Sequence, residues 1–281
     1  MIDEQKQVPV VLVLAGLDPT GGAGLQADIE AIASMGSHAA PVITAVTVQD
    51  TNNVVGFTPL EAGLVVQQAR AVLEDIPVAA IKIGMTGSVE VIEAIHTLLN
   101  DYPELPVVLD PVLVAGGGGA LAERSAAAAI NTLLLPHATV VTPNRSEAYA
   151  LAPEADTLDA CAMALLAYGA KYVLITGGDS GAPAGDDPVT NPVVNVFYGN
   201  NRVLESYRWE RLPAKYHGSG CTLAAALAGL LAQGNEPFTA IHKAQEYTWR
   251  ALQTGYRIGR GQHVPHRFFW AQRWTPARAR L

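Results

Sequence analysis

Val8 to Ala15 is a run of valine and leucine interrupted only by Pro9, and it reads as a strand buried on both faces. A strand of that kind needs helices above and below it, which narrows the chain to a parallel α/β architecture. The run ends in Gly16-Leu17-Asp18-Pro19-Thr20-Gly21-Gly22-Ala23-Gly24, and a helix follows to about Met35 with Leu25, Ile29 and Ile32 on its apolar stripe. Strand, glycine loop and helix open a βαβ unit. The loop lacks the Lys-Ser/Thr ending of a P-loop, and its glycine spacing does not fit the dinucleotide fingerprint. Further strands are expected at His38–Val48, Val78–Ile83, Val107–Asp110, Ala138–Thr142 and Tyr172–Thr176. Helices are expected at Glu61–Glu74, Ser88–Leu99, Glu123–Leu134 and Thr157–Tyr168. Val193–Tyr198 and Arg202–Trp209 flank Gly199-Asn200-Asn201, a hairpin signature. A last helix from Pro237 to about Tyr256 places Phe238, Ile241, Ala244, Thr248 and Leu252 inward. The expectation is an α/β fold with a mostly parallel central sheet and helices on both faces, its ligands at the C-terminal strand ends.

No repeat or linker divides the 281 residues, so one domain over 1–281 is expected. Residues 271–281, with Arg273, Arg278 and Arg280, read as a flexible tail. Gly116 to Gly119 and Ser180 to Pro192 read as loops. A net charge of -8 argues against nucleic acid as a partner. The apolar runs are too short for a bilayer span and no signal pattern is present, so no membrane is expected. Cys161 and Cys221 are the only cysteines, which suits a reducing cytoplasm.

Polar candidates gather near the expected strand ends. Asp28 lies on the apolar side of its helix, where a carboxylate needs a partner or a ligand; dipole compensation in a first helical turn is the alternative. Gln49 ends a strand with an amide able to pair with a heterocycle's donor and acceptor edge, or simply to be solvated. Asp110 ends another strand. Asn144 and Glu147 have capping-box spacing, and equally supply an amide and a carboxylate to a hydrated Mg2+. His263 and His266 lack a further ligand set and read as surface or packing residues.

The turn Tyr216-His217-Gly218-Ser219-Gly220-Cys221-Thr222-Leu223 runs into a helix marked by Leu223, Leu227, Leu230 and Leu231. Ser219 is expected as its N-cap. Gly218 and Gly220 leave room beside the first free amides, and amides plus helix dipole make an anion site. Cys221 in the first turn is expected to have a lowered pKa, or else to be a small core residue.

Together these residues resemble the hydroxymethylpyrimidine/phosphomethylpyrimidine kinase family of the ribokinase-like superfamily, over roughly residues 8–270. The carriers are Ala15 to Asp28, Thr44 to Thr51, Lys82 to Met85, Val108 to Val112, Thr142-Pro143-Asn144 with Glu147, and His217 to Leu223. The resemblance implies a ribokinase-like three-layer fold and a homodimer. It implies transfer of phosphate from ATP to the hydroxymethyl group of 4-amino-5-hydroxymethyl-2-methylpyrimidine, then to the monophosphate, in thiamine biosynthesis. It assigns Gln49 to the pyrimidine edge, and Gly16, Asp28, Met85 and Val112 to the pocket. Gly218, Ser219, Gly220 and Cys221 would hold the transferring phosphate. Asp110 and Glu147 would position Mg2+ through water, and Asn144, Thr176 and Gly178 would serve the nucleotide.

Two departures from the family pattern stand out. No lysine precedes Gly177-Gly178, and Ala115-Gly116-Gly117-Gly118 replace Lys-Ser-Gly. Lys82 and Lys215 remain. A pyridoxal kinase of the same superfamily, or a pyrimidine-binding protein with weak catalysis, are the alternative readings.

Overall fold

The structure is a computed structural model that describes residues 7–113, 119–178 and 191–271. In chain order its elements begin with β1 (Val10–Leu17), α1 (Gly24–Ser34), β2 (His38–Gln49), β3 (Val54–Pro59), α2 (Ala62–Asp75), β4 (Val78–Ile83) and α3 (Val89–Asp101). There follow β5 (Val107–Leu109), α4 (Gly119–Ala129), β6 (Val140–Val141), α5 (Arg145–Leu151), α6 (Leu158–Ala167) and β7 (Tyr172–Ile175). β8 (Val193–Gly199), β9 (Arg202–Trp209), α7 (Ser219–Ala232) and α8 (Pro237–Gln253) complete the described chain.

Among the described residues nine strands form one sheet in the order β3-β2-β1-β4-β5-β6-β7-β8-β9. The central pairs from β2 to β7 are parallel, while β3, β8 and β9 add antiparallel at the edges. β1 is buried on both faces as expected. Leu12 and Leu14 enter the core shared with α2, α3, α5 and α6; Val11, Val13 and Ala15 enter the core shared with α1, α7 and α8. The strand order reverses between β1 and β4, and that switch point opens a crevice at the C-terminal strand ends. No helix among the described residues is long and apolar enough to cross a membrane.

Several expectations are corrected. β3 was absent from the sequence reading, and it pairs antiparallel with the end of β2. The helix expected at Glu123–Leu134 is α4 followed by a π turn, Ile130–Leu134. Ile29 is 37% exposed and Phe238 49%, so neither belongs to its helix's inward face, although Phe238 still meets the Phe197 ring. The hairpin stands, with Asn200 and Asn201 both left-handed as a tight turn demands. His263 packs on Tyr216 and His266 on Tyr256. The readings of 116–118 and 180–190 as loops and of 272–281 as a flexible tail lie outside the described residues; Gly119 already belongs to α4.

Candidate active site

Two glycine turns meet at the crevice. The first follows β1 and is organised by Asp18. Its Oδ1 accepts from Thr20 N at 2.8 Å, and its Oδ2 from Ala23 N at 2.8 Å and Thr20 Oγ1 at 2.9 Å. His217 Nε2 donates to the same Oδ2 at 2.8 Å, tying the first turn to the second. Burial pushes the Asp18 carboxyl up, but His217 and the loop donors outweigh it and hold the pKa near about 2. A carboxylate so acidic only accepts, which fixes the proton on His217 Nε2.

The second turn precedes α7. Gly218, not Ser219, is the N-cap, with φ 82° in the left-handed region and no side-chain cap. Ser219 is the first helical residue. The predicted serine cap is displaced because the turn is shaped by tertiary packing: a Cβ on Gly218 would lie 1.9 Å from Gly22 O. The free amides of the first α7 turn are thus aimed by glycine-on-glycine contact between the two turns.

Beside this turn lies a buried charge cluster. Lys82 on β4 and Asp28 on α1 are both 0% exposed, and Lys82 Nζ stands 3.0 Å from each Asp28 oxygen. Asp28 therefore has the partner that its position required. Lys82 Nζ is also 4.0 Å from Asp110 Oδ2. Gly84 makes room for it, since a Cβ there would sit 2.6 Å from Nζ. The Cys221 thiol lies beside Asp110, Lys82 and the Gly24 amide, close enough to feel each of them. Burial raises the Asp28 pKa to about 6 against the pull of Lys82, and burial also raises Asp110.

The expected lowering of the Cys221 pKa is overturned. Burial, then the neighbouring Asp110 carboxylate, push the thiol up to about 12 against Lys82. The helix terminus is outweighed by the carboxylates placed against it. Cys221 is accordingly expected to alkylate slowly with iodoacetamide at pH 7.5, with a rate still rising about tenfold per pH unit at pH 9. Peptide mass spectrometry on a Cys161→Ala background checks this. A rate that plateaus below pH 8 would mean a thiolate.

On the other side of the turn is a cavity of about 660 Å³. Thr176, Gly178, Ser219 and Gly220 line it, with Lys215, Arg211, Trp209 and Trp249. The Trp209 and Trp249 rings are stacked at 6.4 Å. Asn144 bridges Thr176 in register, so the predicted nucleotide-side residues are brought together. Lys215 reaches this cavity, whereas Lys82 is locked in its pair with Asp28.

The remaining predicted residues fall around the same rim. A Cβ on Gly16 would lie 3.1 Å from Met85 Sδ, so these two touch. Val112 follows Asp110 and is half-buried. Gln49 closes β2 and is half-buried, outside the hydrogen-bonded cluster. Asn144 and Glu147 form a full capping box: Asn144 N donates to Glu147 Oε2, and Glu147 N to Asn144 Oδ1, both at 2.9 Å. Asp110 Oδ2 is buried and accepts no hydrogen bond, and Asp110 Oδ1 is the nearest atom, at 3.8 Å, to a Cβ built on Gly220. That oxygen suits a hydrated divalent cation beside a phosphate. Asp18, His217 and Lys82 are the site residues that went unassigned in the sequence. Asp18 carried a signal, because Asp-Pro-Thr-Gly is an Asx-turn pattern.

The sequence matches the phosphomethylpyrimidine kinase family over residues 18–266. It is 38% identical over 261 residues to the hydroxymethylpyrimidine/phosphomethylpyrimidine kinase of Streptomyces coelicolor, covering 90% of this chain and 92% of that protein. The fold overlays an ADP complex of Bacillus subtilis pyridoxal kinase with a TM-score of 0.82 at 30% identity, covering 92% and 97% of the two chains. It overlays the phosphomethylpyrimidine kinase of Clostridium difficile with a TM-score of 0.69 at 31% identity, covering 85% and 98%.

Proposed function

The chain belongs to the phosphomethylpyrimidine kinase family, and from that membership we propose that it transfers the γ-phosphoryl group of ATP to 4-amino-5-hydroxymethyl-2-methylpyrimidine and then to its monophosphate, in thiamine biosynthesis. The observation that carries this reading is the turn at Gly218–Cys221. It faces a nucleotide-sized cavity on one side and the Asp110–Cys221 cluster on the other. ATP would enter the cavity lined by Thr176 and Gly178, with its phosphates directed at the amides of the α7 start. The pyrimidine would lie on the opposite rim against Gly16, Met85, Val112 and Gln49, with the charged end of Asp28 held by Lys82. Arg211 and Lys215 are placed to supply positive charge that the missing family lysines would have given.

Phosphoryl transfer through a loose transition state asks mainly for alignment and charge neutralisation. Asp110 and Glu147 would hold Mg2+ through water, and that ion would neutralise charge on the phosphates. Cys221, protonated at neutral pH, would not serve as a thiolate base. A single domain acting as a homodimer in the cytoplasm fits two features. Val46, Val48, Val54 and Val55 expose an apolar edge on β2 and β3, Val55 by 77%, and both cysteines are free thiols.

The test is ADP release with Mg2+ and three acceptors: hydroxymethylpyrimidine, its monophosphate and pyridoxal. Turnover is expected with the first two and to exceed that with pyridoxal. The overlay on pyridoxal kinase fits the alternative, though less well than the family match fits the pyrimidine, and pyridoxal preference would move the assignment there. Binding of the pyrimidine with no ADP from any acceptor would leave a binding protein.

A further inference from the structure

Arg267 is 1% exposed and stands first among the largest fully buried side chains. It comes from the segment after α8, and it spends its donors on the two glycine turns. Nη1 donates to Gly21 O at 3.3 Å, 246 positions away, and to Glu30 Oε2 at 3.1 Å. Nη2 donates to Gly22 O. Nε donates to Thr222 Oγ1 at 2.9 Å, and that hydroxyl donates onward to Gly218 O at 2.7 Å.

Two routes therefore run from this one guanidinium to Gly218. One passes through Thr222 to the Gly218 carbonyl. The other holds Gly22 O, the atom that presses on Gly218 and leaves it no space for a side chain. The chain around Arg267 reinforces both. His263 O accepts from His217 N and His263 N donates to Lys215 O, each at 2.9 Å. Gly261 N and Gln262 N donate to Thr51, in the turn after β2. A buried guanidinium is expensive unless its donors are used, and here they go to the backbone that shapes the phosphate turn.

We propose that Arg267 is a positioning residue for phosphoryl transfer: through Thr222 and Gly22 it holds Gly218 left-handed and so aims the first amides of α7. The inference rests on the assignment of that turn to the transferring phosphate. Lysine at 267 keeps the charge but cannot fork between Thr222 and the two carbonyls.

The experiment compares Arg267→Lys, Thr222→Val, the double variant and Glu30→Gln. Steady-state kinetics are read together with calorimetry of β,γ-methylene ATP and of the pyrimidine. Arg267→Lys is expected to lower kcat about tenfold and weaken the ATP analogue about tenfold, with pyrimidine KM within about twofold. Thr222→Val is expected to do the same to a smaller extent, and the double variant to be little worse than Arg267→Lys because both cut one relay. Glu30→Gln removes only the outer ion pair and is expected to leave kcat unchanged. Should Arg267→Lys fail to fold, Thr222→Val alone decides, because the guanidinium stays in place.

Unchanged kcat and analogue affinity in Arg267→Lys or Thr222→Val, or single effects that multiply, would overturn the proposal. An enzyme that turns over no pyrimidine would instead defeat the functional reading, while the analogue calorimetry still judges Arg267.

Discussion

Gly218→Ala is expected to lower kcat/KM at least about 100-fold, in the range seen when one donor to a developing anion is lost. The left-handed φ of 82° is the smaller obstacle, worth about 1–2 kcal/mol for an L-residue. Contact is the larger one: the new Cβ would sit 1.9 Å from Gly22 O and 2.8 Å from Gly22 C, both backbone atoms that cannot rotate aside. Either the two turns separate or Gly218 leaves its conformation. Both movements redirect the amides at the start of α7. The rim proposed for the pyrimidine, on β1 and β2 and just after β4 and β5, makes none of these contacts, so pyrimidine affinity by calorimetry is expected to stay within about threefold. Gly220→Ala is the internal comparison, since its Cβ would meet only Asp110 Oδ1 at an ordinary 3.8 Å. A Gly218→Ala enzyme within fivefold of the parent would remove the turn from the chemistry.

What could be seen in the sequence, and what could not, divides along a physical line. The parallel sheet was legible because β1 is buried on both faces and so writes a continuous apolar run, and β4 is apolar but for Lys82. β3 was missed because it is an exposed edge strand whose residues carry no such signal. The need of Asp28 for a partner was legible from its place on α1; that the partner is Lys82, 54 positions on, was not. Ser219 looked like a cap by local preference, and tertiary contact with Gly22 decided otherwise. The sign for Cys221 failed for the same reason. A local argument counts the helix dipole, but burial dominates, with Asp110 arriving from the end of β5 and Asp28 from α1, and none of these is visible from residue 221. Arg267 sits in a stretch with no periodic pattern, and only the folded chain brings it to Gly21 and Gly22.

Lys82→Met is expected to destabilise the protein by about 3–5 kcal/mol, the usual result of removing one partner from a buried ion pair. For a chain of this size that is a fall in Tm on the order of 10 °C. The loss follows from arithmetic of charge: Asp28 and Asp110 share one buried ammonium, and without it the two carboxyls lose the cation paired with them, leaving Asp28 only the more distant pull of Arg267. Burial already raises the pKa of both, Asp28 to about 6, and removal of the lysine drives them higher. A raised carboxyl pKa means that the folded variant binds more protons than its unfolded chain. Its stability therefore falls as pH climbs from about 4 through the raised value, so the variant is expected to melt higher at pH 5 than at pH 8. In the parent the contribution of Lys82 persists through neutrality. Burial alone would lower the Lys82 pKa, but Asp28, Cys221 and Asp110 raise it, so its contribution is lost only in strong alkali. Adding Asp28→Leu to Lys82→Met removes one of the two stranded charges and is expected to recover much of the Tm without recovering turnover. A Lys82→Met protein as stable as the parent at pH 8 would show that the ammonium is not the counter-ion of these carboxylates, and the charge balance assigned to Asp110 beside the phosphate turn would go with it.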